Sequence, residues 1–109
     1  MSMVMFPDAA TTAADEAKVR AILEQWTFPA NVRGWELDFT EDQSGDPAVY
    51  ITFRVDDALN PSEETIRSVG AFSEKLDRQL LEADLHYFPY FRYQPPMEAE
   101  PPQQSKRRR

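Results

Sequence analysis

Apolar positions in the first quarter of the chain recur at helical spacing. Val19, Ile22, Leu23 and Trp26 fall three or four apart, Thr12 stands three residues before Asp15, and Asp15 and Glu16 lie where a helix dipole favours acids. The pattern predicts a helix over 12–26, ended by Phe28-Pro29, because proline disfavours helical geometry in the residue before it. Between Val32 and Asp57 the period drops to two. Trp35, Leu37 and Phe39 alternate with Glu36, Asp38 and Thr40; beyond a turn, Val49, Ile51, Phe53 and Val55 alternate with Tyr50, Thr52, Arg54 and Asp56. The connection from Glu41 to Pro47 carries the Gly, Asp, Ser and Pro of a turn, so the two strands are expected to pair as an antiparallel hairpin. With Leu37 opposite Ile51, Asp38 faces Tyr50, Glu36 faces Thr52, and Arg54 lies diagonal to Glu36 and able to pair with it.

A second helix is expected over 61–85. Asn60 is the predicted cap, Pro61 the first helical residue, and Ile66, Val69, Phe72 or Ser73, Leu76, Leu80 and Ala83 trace one face. Glu63 with Arg67 and Glu74 with Arg78 are spaced for acid-to-base pairs. Pro89 then separates helix from an extended segment over 90–94, read as a third strand or an arm. Placed parallel to the second strand and beside the first, it gives the sheet order 2-1-3. The expected fold is therefore α+β, a two-layer α-β-β-α(-β) arrangement with a small antiparallel sheet covered on one face by two helices. The other face, with Glu36, Asp38, Tyr50, Thr52 and Arg54, is left uncovered. Residues 1–11 read as a disordered arm, 12–94 as a single domain, and 95–109 as a Pro/Gln-rich tail with a basic end.

The stretch from His86 to Tyr93 holds five of the thirteen aromatic residues and the single histidine. Rings in that density close a core or wait on a surface for another chain. Here Phe88, Phe91 and Tyr93 are the candidates for the core, and Tyr87 and Tyr90 are expected to be partly exposed.

Charge narrows the choice of partner. The net charge is −7, but Lys106-Arg107-Arg108-Arg109 supply four of the twelve basic groups, so residues 1–105 carry 8 basic against 19 acidic side chains. Such a body repels phosphate backbones; nucleic acid could be held only by the tail. Cysteine is absent, which removes disulfides, thiolate chemistry and cysteine zinc sites and is in keeping with a cytoplasmic protein. Neither an export signal nor a membrane span is read.

Catalytic signatures are thin. Asp42-Gln43-Ser44-Gly45-Asp46 resembles the opening of a calcium loop, yet Pro47 falls where that loop needs glycine and Phe53 where it needs a bidentate glutamate. Pro7-Asp8 with Glu16-Ala17-Lys18 spells a loose nuclease-like pattern, but the first acid precedes the helix in which the others stand. The three glycines are far apart, no serine occupies a glycine-flanked elbow, and His86 at a helix end suits capping or packing. No cofactor is expected.

Ser44-Gly45-Asp46-Pro47-Ala48-Val49, Phe53-Arg54-Val55-Asp56-Asp57 and Phe88-Pro89-Tyr90-Phe91-Arg92-Tyr93 together resemble small uncharacterised bacterial proteins that look like members of two-gene toxin–antitoxin or defence cassettes. The resemblance covers roughly residues 17 to 94 and transfers no active site. It implies a small acidic partner of another protein. The leading expectation is thus a non-enzymatic interaction module for a basic protein, with Tyr87, Tyr90, Arg92, Tyr93, Glu36, Asp38, Tyr50 and Arg54 as candidate contacts. A homo-oligomer through the sheet edge or polar face, a metal-dependent or acid–base enzyme using Glu36, Asp38 and His86, and nucleic-acid association through the tail are the alternatives.

Overall fold

The computed structural model describes residues 7–96 as α1 (Ala9–Gln25), β1 (Val32–Glu41), β2 (Pro47–Val55), α2 (Glu63–Leu81) and β3 (Phe88–Gln94). Residues 1–6 of the expected arm and 97–109 of the tail, including the basic end, lie outside the described residues. Among the described residues no helix is long and apolar enough to cross a membrane.

α1 starts earlier than its apolar spacing predicts. Asp8 is the N-cap, its carboxylate accepting the Thr11 N–H at 2.9 Å, so the helix takes in residues assigned to the arm. The second helix starts later than predicted. Ser62, and not Asn60, caps it, because Ser62 Oγ accepts the Thr65 N–H while Asp57 accepts the Ser62 N–H at 2.9 Å. Thr65 Oγ1 meets both Asp57 oxygens and receives Asn31 Nδ2 at 2.7 Å, a polar knot that binds the start of α2 to the entry of β1. The expected face of α2 is buried at Val69, Phe72, Ser73, Leu76 and Leu80; it differs only in the first turn, where Thr65, held in this knot, is buried and Ile66 is exposed. The surface pair that forms is Glu64–Arg67. α2 ends at Leu81, short of 85, and Asp84 adopts the left-handed conformation at φ 59°.

The hairpin register matches the alternation, with Leu37 opposite Ile51, Asp38 opposite Tyr50 and Glu36 opposite Thr52. The sheet order does not match. The sheet is mixed, in the order β1-β2-β3, with β3 hydrogen-bonded in parallel to β2 through pairs such as Ile51–Phe91 and Thr52–Arg92. β2 is the strand best able to be central. Its Ala48, Val49, Ile51, Thr52, Phe53 and Val55 are all buried, so both of its faces tolerate neighbours, whereas β1 is half polar and solvent-facing. β3 begins at Phe88 and carries Pro89 inside it, as an edge strand permits.

Both helices pack on one face of this sheet. Val19 and Leu23 from α1 and Val69, Phe72, Leu76 and Leu80 from α2 meet Val49, Ile51, Phe53 and Val55. Phe28 and Phe53 stand edge-on against Phe72, and Phe39 meets the Tyr87 ring edge-on at 5.0 Å. The join between α2 and β3 is anchored by α1. Asp15, fully buried, accepts the His86 N–H at 2.6 Å and the Tyr87 N–H at 3.0 Å, and Lys18 Nζ reaches the Asp84 carbonyl at 3.3 Å.

Candidate functional site: the uncovered sheet face

Strand parity sorts the side chains of the sheet into two sets. Glu36 and Asp38 of β1, Tyr50, Thr52 and Arg54 of β2, and Phe88, Tyr90, Arg92 and Gln94 of β3 share the face opposite the helices. On that face the rings and one guanidinium form a connected row. Phe88 and Tyr90 have centroids 5.2 Å apart, Tyr90 stacks on Tyr50 at 5.3 Å, and the Arg92 guanidinium sits 3.9 Å over the Tyr50 ring. Phe88 is 51% exposed and Tyr90 37%.

The hairpin turn holds one end of the row. Asp42 Oδ1 accepts the N–H groups of Ser44 and Asp46, and Oδ2 accepts the Tyr90 hydroxyl at 3.1 Å. Those donors, the Asp46 N–H foremost, hold the Asp42 carboxyl below its usual range, and the same contact raises the Tyr90 phenol above its own. An aspartate engaged in this way serves the turn, both of its oxygens accepting donors of the chain. A shallow recess of about 310 Å³ lies between this turn and Tyr50 and Tyr90.

Arg54 clamps the opposite end. Its Nη2 takes both Glu36 oxygens, at 2.9 and 3.0 Å, and its Nη1 donates to Gln94 Oε1 and the Pro95 carbonyl, so one side chain ties β1, β2 and the residue after β3 together. The expected Glu36–Arg54 pair is present, and both groups are occupied by it. Pro95 and the buried Pro96 belong to the folded body and not to an open linker. Asp38 differs: it is exposed and makes no hydrogen bond or ion pair within the described residues.

Of the eight residues predicted to form contacts, Glu36, Asp38, Tyr50, Arg54, Tyr90 and Arg92 are brought together on this face. Tyr87 and Tyr93 are not. Tyr87 is only 5% exposed and bonds Thr12 Oγ1 at 2.8 Å through its hydroxyl, contrary to its expected exposure. Tyr93 lies on the helix side, stacked on Phe53 and bonded to Ser73 Oγ at 2.6 Å, with burial raising its phenol. Phe88, assigned to the core by the sequence pattern, is the missed surface residue. Parity would have found it had the strand been started before Pro89 instead of after it.

His86 stands apart from this face. Its Nδ1 lies 3.2 Å from Asp15 Oδ1 and its side chain is 61% exposed, an arrangement that orients the ring but sets no hydroxyl against it. Among the described residues no three His, Asp or Glu side chains are grouped to hold a metal ion, so Glu36, Asp38 and His86 do not form such a set. No protein-family model, curated protein or solved structure matches the chain.

Proposed function

We propose that this protein is a non-enzymatic interaction module, the acidic accessory or antitoxin-like member of a pair, and that it docks a basic partner protein on the open face of its sheet. The row Phe88–Tyr90–Tyr50–Arg92 carries the reading: three rings and a guanidinium linked by successive contacts on a face that neither described helix covers. Tyr and Arg are the residues in which interface energy concentrates, and a contiguous exposed aromatic patch on a small protein marks a contact site. Pre-organisation adds to the argument. Asp42 fixes Tyr90 and Tyr50 supports Arg92, so little side-chain freedom remains to be lost on binding. Asp38 and the excess of acidic groups favour a partner of opposite charge.

The full chain, used as bait, should capture its partner in a manner that depends on this face. The double substitution Tyr90→Ala with Arg92→Ala, and separately Phe88→Ser, should weaken capture by roughly tenfold or more. Unchanged capture by correctly folded variants would exclude the face. If the chain instead associates with itself, sedimentation equilibrium will show a mass that the same substitutions reduce.

A further inference from the structure

We propose that the outer edge of β1 accepts an extended segment of a partner as a fourth strand, and that this segment alternates basic with apolar residues. The proposal rests on the interaction-module reading but concerns a different surface from the aromatic row. β1 is a ten-residue strand at the edge of the sheet, and no other described strand pairs with its outer side. Its two faces ask for different chemistry. On the helix side Trp35, beneath the Arg20 guanidinium at 5.5 Å, Leu37 and Phe39, edge-on to Tyr87, are half buried, while Phe53, Ile51 and Val49 opposite them are fully buried, so apolar surface remains accessible along this margin. Apolar side chains on an added strand would cover it. On the open side Asp38, whose side chain has no partner among the described residues, projects where the next strand would place an alternate residue, next to a Glu36 carboxylate already shared with Arg54.

The same charges disfavour a second copy. In an antiparallel pair of β1 strands, each central register sets Asp38 against Glu36, Asp38 against itself, or Glu36 against itself, and like charges directly opposed are destabilising. The other edge is less suited. β3 is seven residues long, contains Pro89 without an N–H, and presents Arg92. Strand addition takes its affinity from main-chain hydrogen bonds and its specificity from alternate side chains, so β1 selects a partner whose basic residues recur every second position.

The test titrates the full chain with fluorescein-labelled octapeptides and follows its amide resonances. An alternating Lys-Val peptide should bind and shift the amides from Trp35 to Thr40. The Glu-Val counterpart, a block peptide of four Lys and four Val, and an alternating peptide N-methylated at every second residue should each bind roughly tenfold more weakly or not at all. Asp38→Lys should reverse the preference and take the Glu-Val peptide. Equal binding of the block or N-methylated peptide would mean charge attraction without strand pairing and would overturn the proposal, as would shifts confined to Phe88–Gln94. Absence of binding to both the native and the reversed protein also overturns it, whereas the reading of the aromatic row stands or falls separately on capture by the Phe88, Tyr90 and Arg92 variants.

Discussion

Asp15→Ala is expected to be strongly destabilising although it removes a charge from the interior. In the native protein a single oxygen, Oδ2, accepts both N–H groups of the turn into β3, at 2.6 Å from His86 N and 3.0 Å from Tyr87 N. Alanine leaves two donors without their acceptor, the Tyr87 N–H in buried and the His86 N–H in partly buried surroundings. Each stranded donor costs about 1–3 kcal/mol, so the pair costs roughly 2–6 kcal/mol. The variant no longer desolvates a carboxylate, which offsets part of this and sets the expected net loss at about 2–4 kcal/mol. Domains of this size are stable by about 5–10 kcal/mol, so the change would consume a large share of the total. Asp15→Asn retains an oxygen in the same place and should lose only about 1 kcal/mol. His86→Ala keeps the backbone N–H bond to Asp15 and removes only the contact of the exposed ring, so it should lose roughly 0.5 kcal/mol. Urea unfolding followed by the fluorescence of Trp26 and Trp35 measures all three on one scale, with equal slopes required for comparison. If Asp15→Ala costs no more than Asp15→Asn, the turn is not held by this carboxylate and the reasoning fails.

Two glycines should respond in opposite directions in the same assay. Gly45 has φ +86° and nothing within 4 Å of where a methyl group would stand, so Gly45→Ala should cost about 1 kcal/mol through the backbone alone; Gly70, with equal space and ordinary helical geometry, should gain about 0.5–1 kcal/mol on becoming Ala. Arg54→Ala should lose about 2–3 kcal/mol and Arg54→Met less, because methionine keeps the packed stem but not the bonds to Glu36, Gln94 and Pro95. On acidification, Asp8, Asp42 and Asp57 matter together. N–H donors from Thr11, Asp46 and Ser62 respectively hold each carboxyl below 3.8 in the folded chain, so the unfolded chain binds protons first as pH falls. Their contribution should be fully present above about pH 5 and lost as pH drops through 3.8 toward the folded values, and Asp57→Asn should flatten that limb of a stability–pH curve.

What the residue pattern could and could not foretell follows from the range of the forces involved. Alternation sorted each strand into an apolar and a polar face, because a one-residue slip would turn every apolar side chain outward, and with Leu37 set opposite Ile51 it brought Glu36 within reach of Arg54. The helix starts were misplaced for a local reason: Asp8 and Ser62 compete with Thr12 and Asn60 as caps, and their advantage comes from partners at Thr11, Thr65 and Asp57. Sheet order depends on which strand can be buried on both faces, and only the small or apolar Ala48 and Thr52 on the second face of β2 signalled it. Asp15 was invisible for a different reason. An acid in a helix reads as solvent-facing or as a dipole partner, and nothing near it in the chain reveals that it meets N–H groups 71 and 72 residues away. The exchange of Tyr87 and Phe88 followed from the boundary of β3, since moving a strand start past a proline changes which residues are assigned to it, though not the parity of those already in it.

The charged groups divide into those that folding uses and those it leaves over, and the division separates stability from recognition. Asp15, Asp42, Asp57, Glu36 and Arg54 are each held by at least two bonds within the chain, so a ligand that engaged them would first have to break native contacts. Asp38 and the Phe88 ring have no such bonds to lose: Asp38 makes none among the described residues, and Phe88 touches only Tyr90 among the described rings. Substitutions at Phe88 and Asp38 should therefore change partner capture or peptide choice while leaving the urea midpoint nearly fixed, within about 0.5 kcal/mol. Substitution of Arg54 should shift the midpoint first and affect binding only as the sheet loosens. A protein in which Phe88 and Asp38 variants were as unstable as Arg54 variants would have an open face that serves its own folding, and the proposed partner would have no site there.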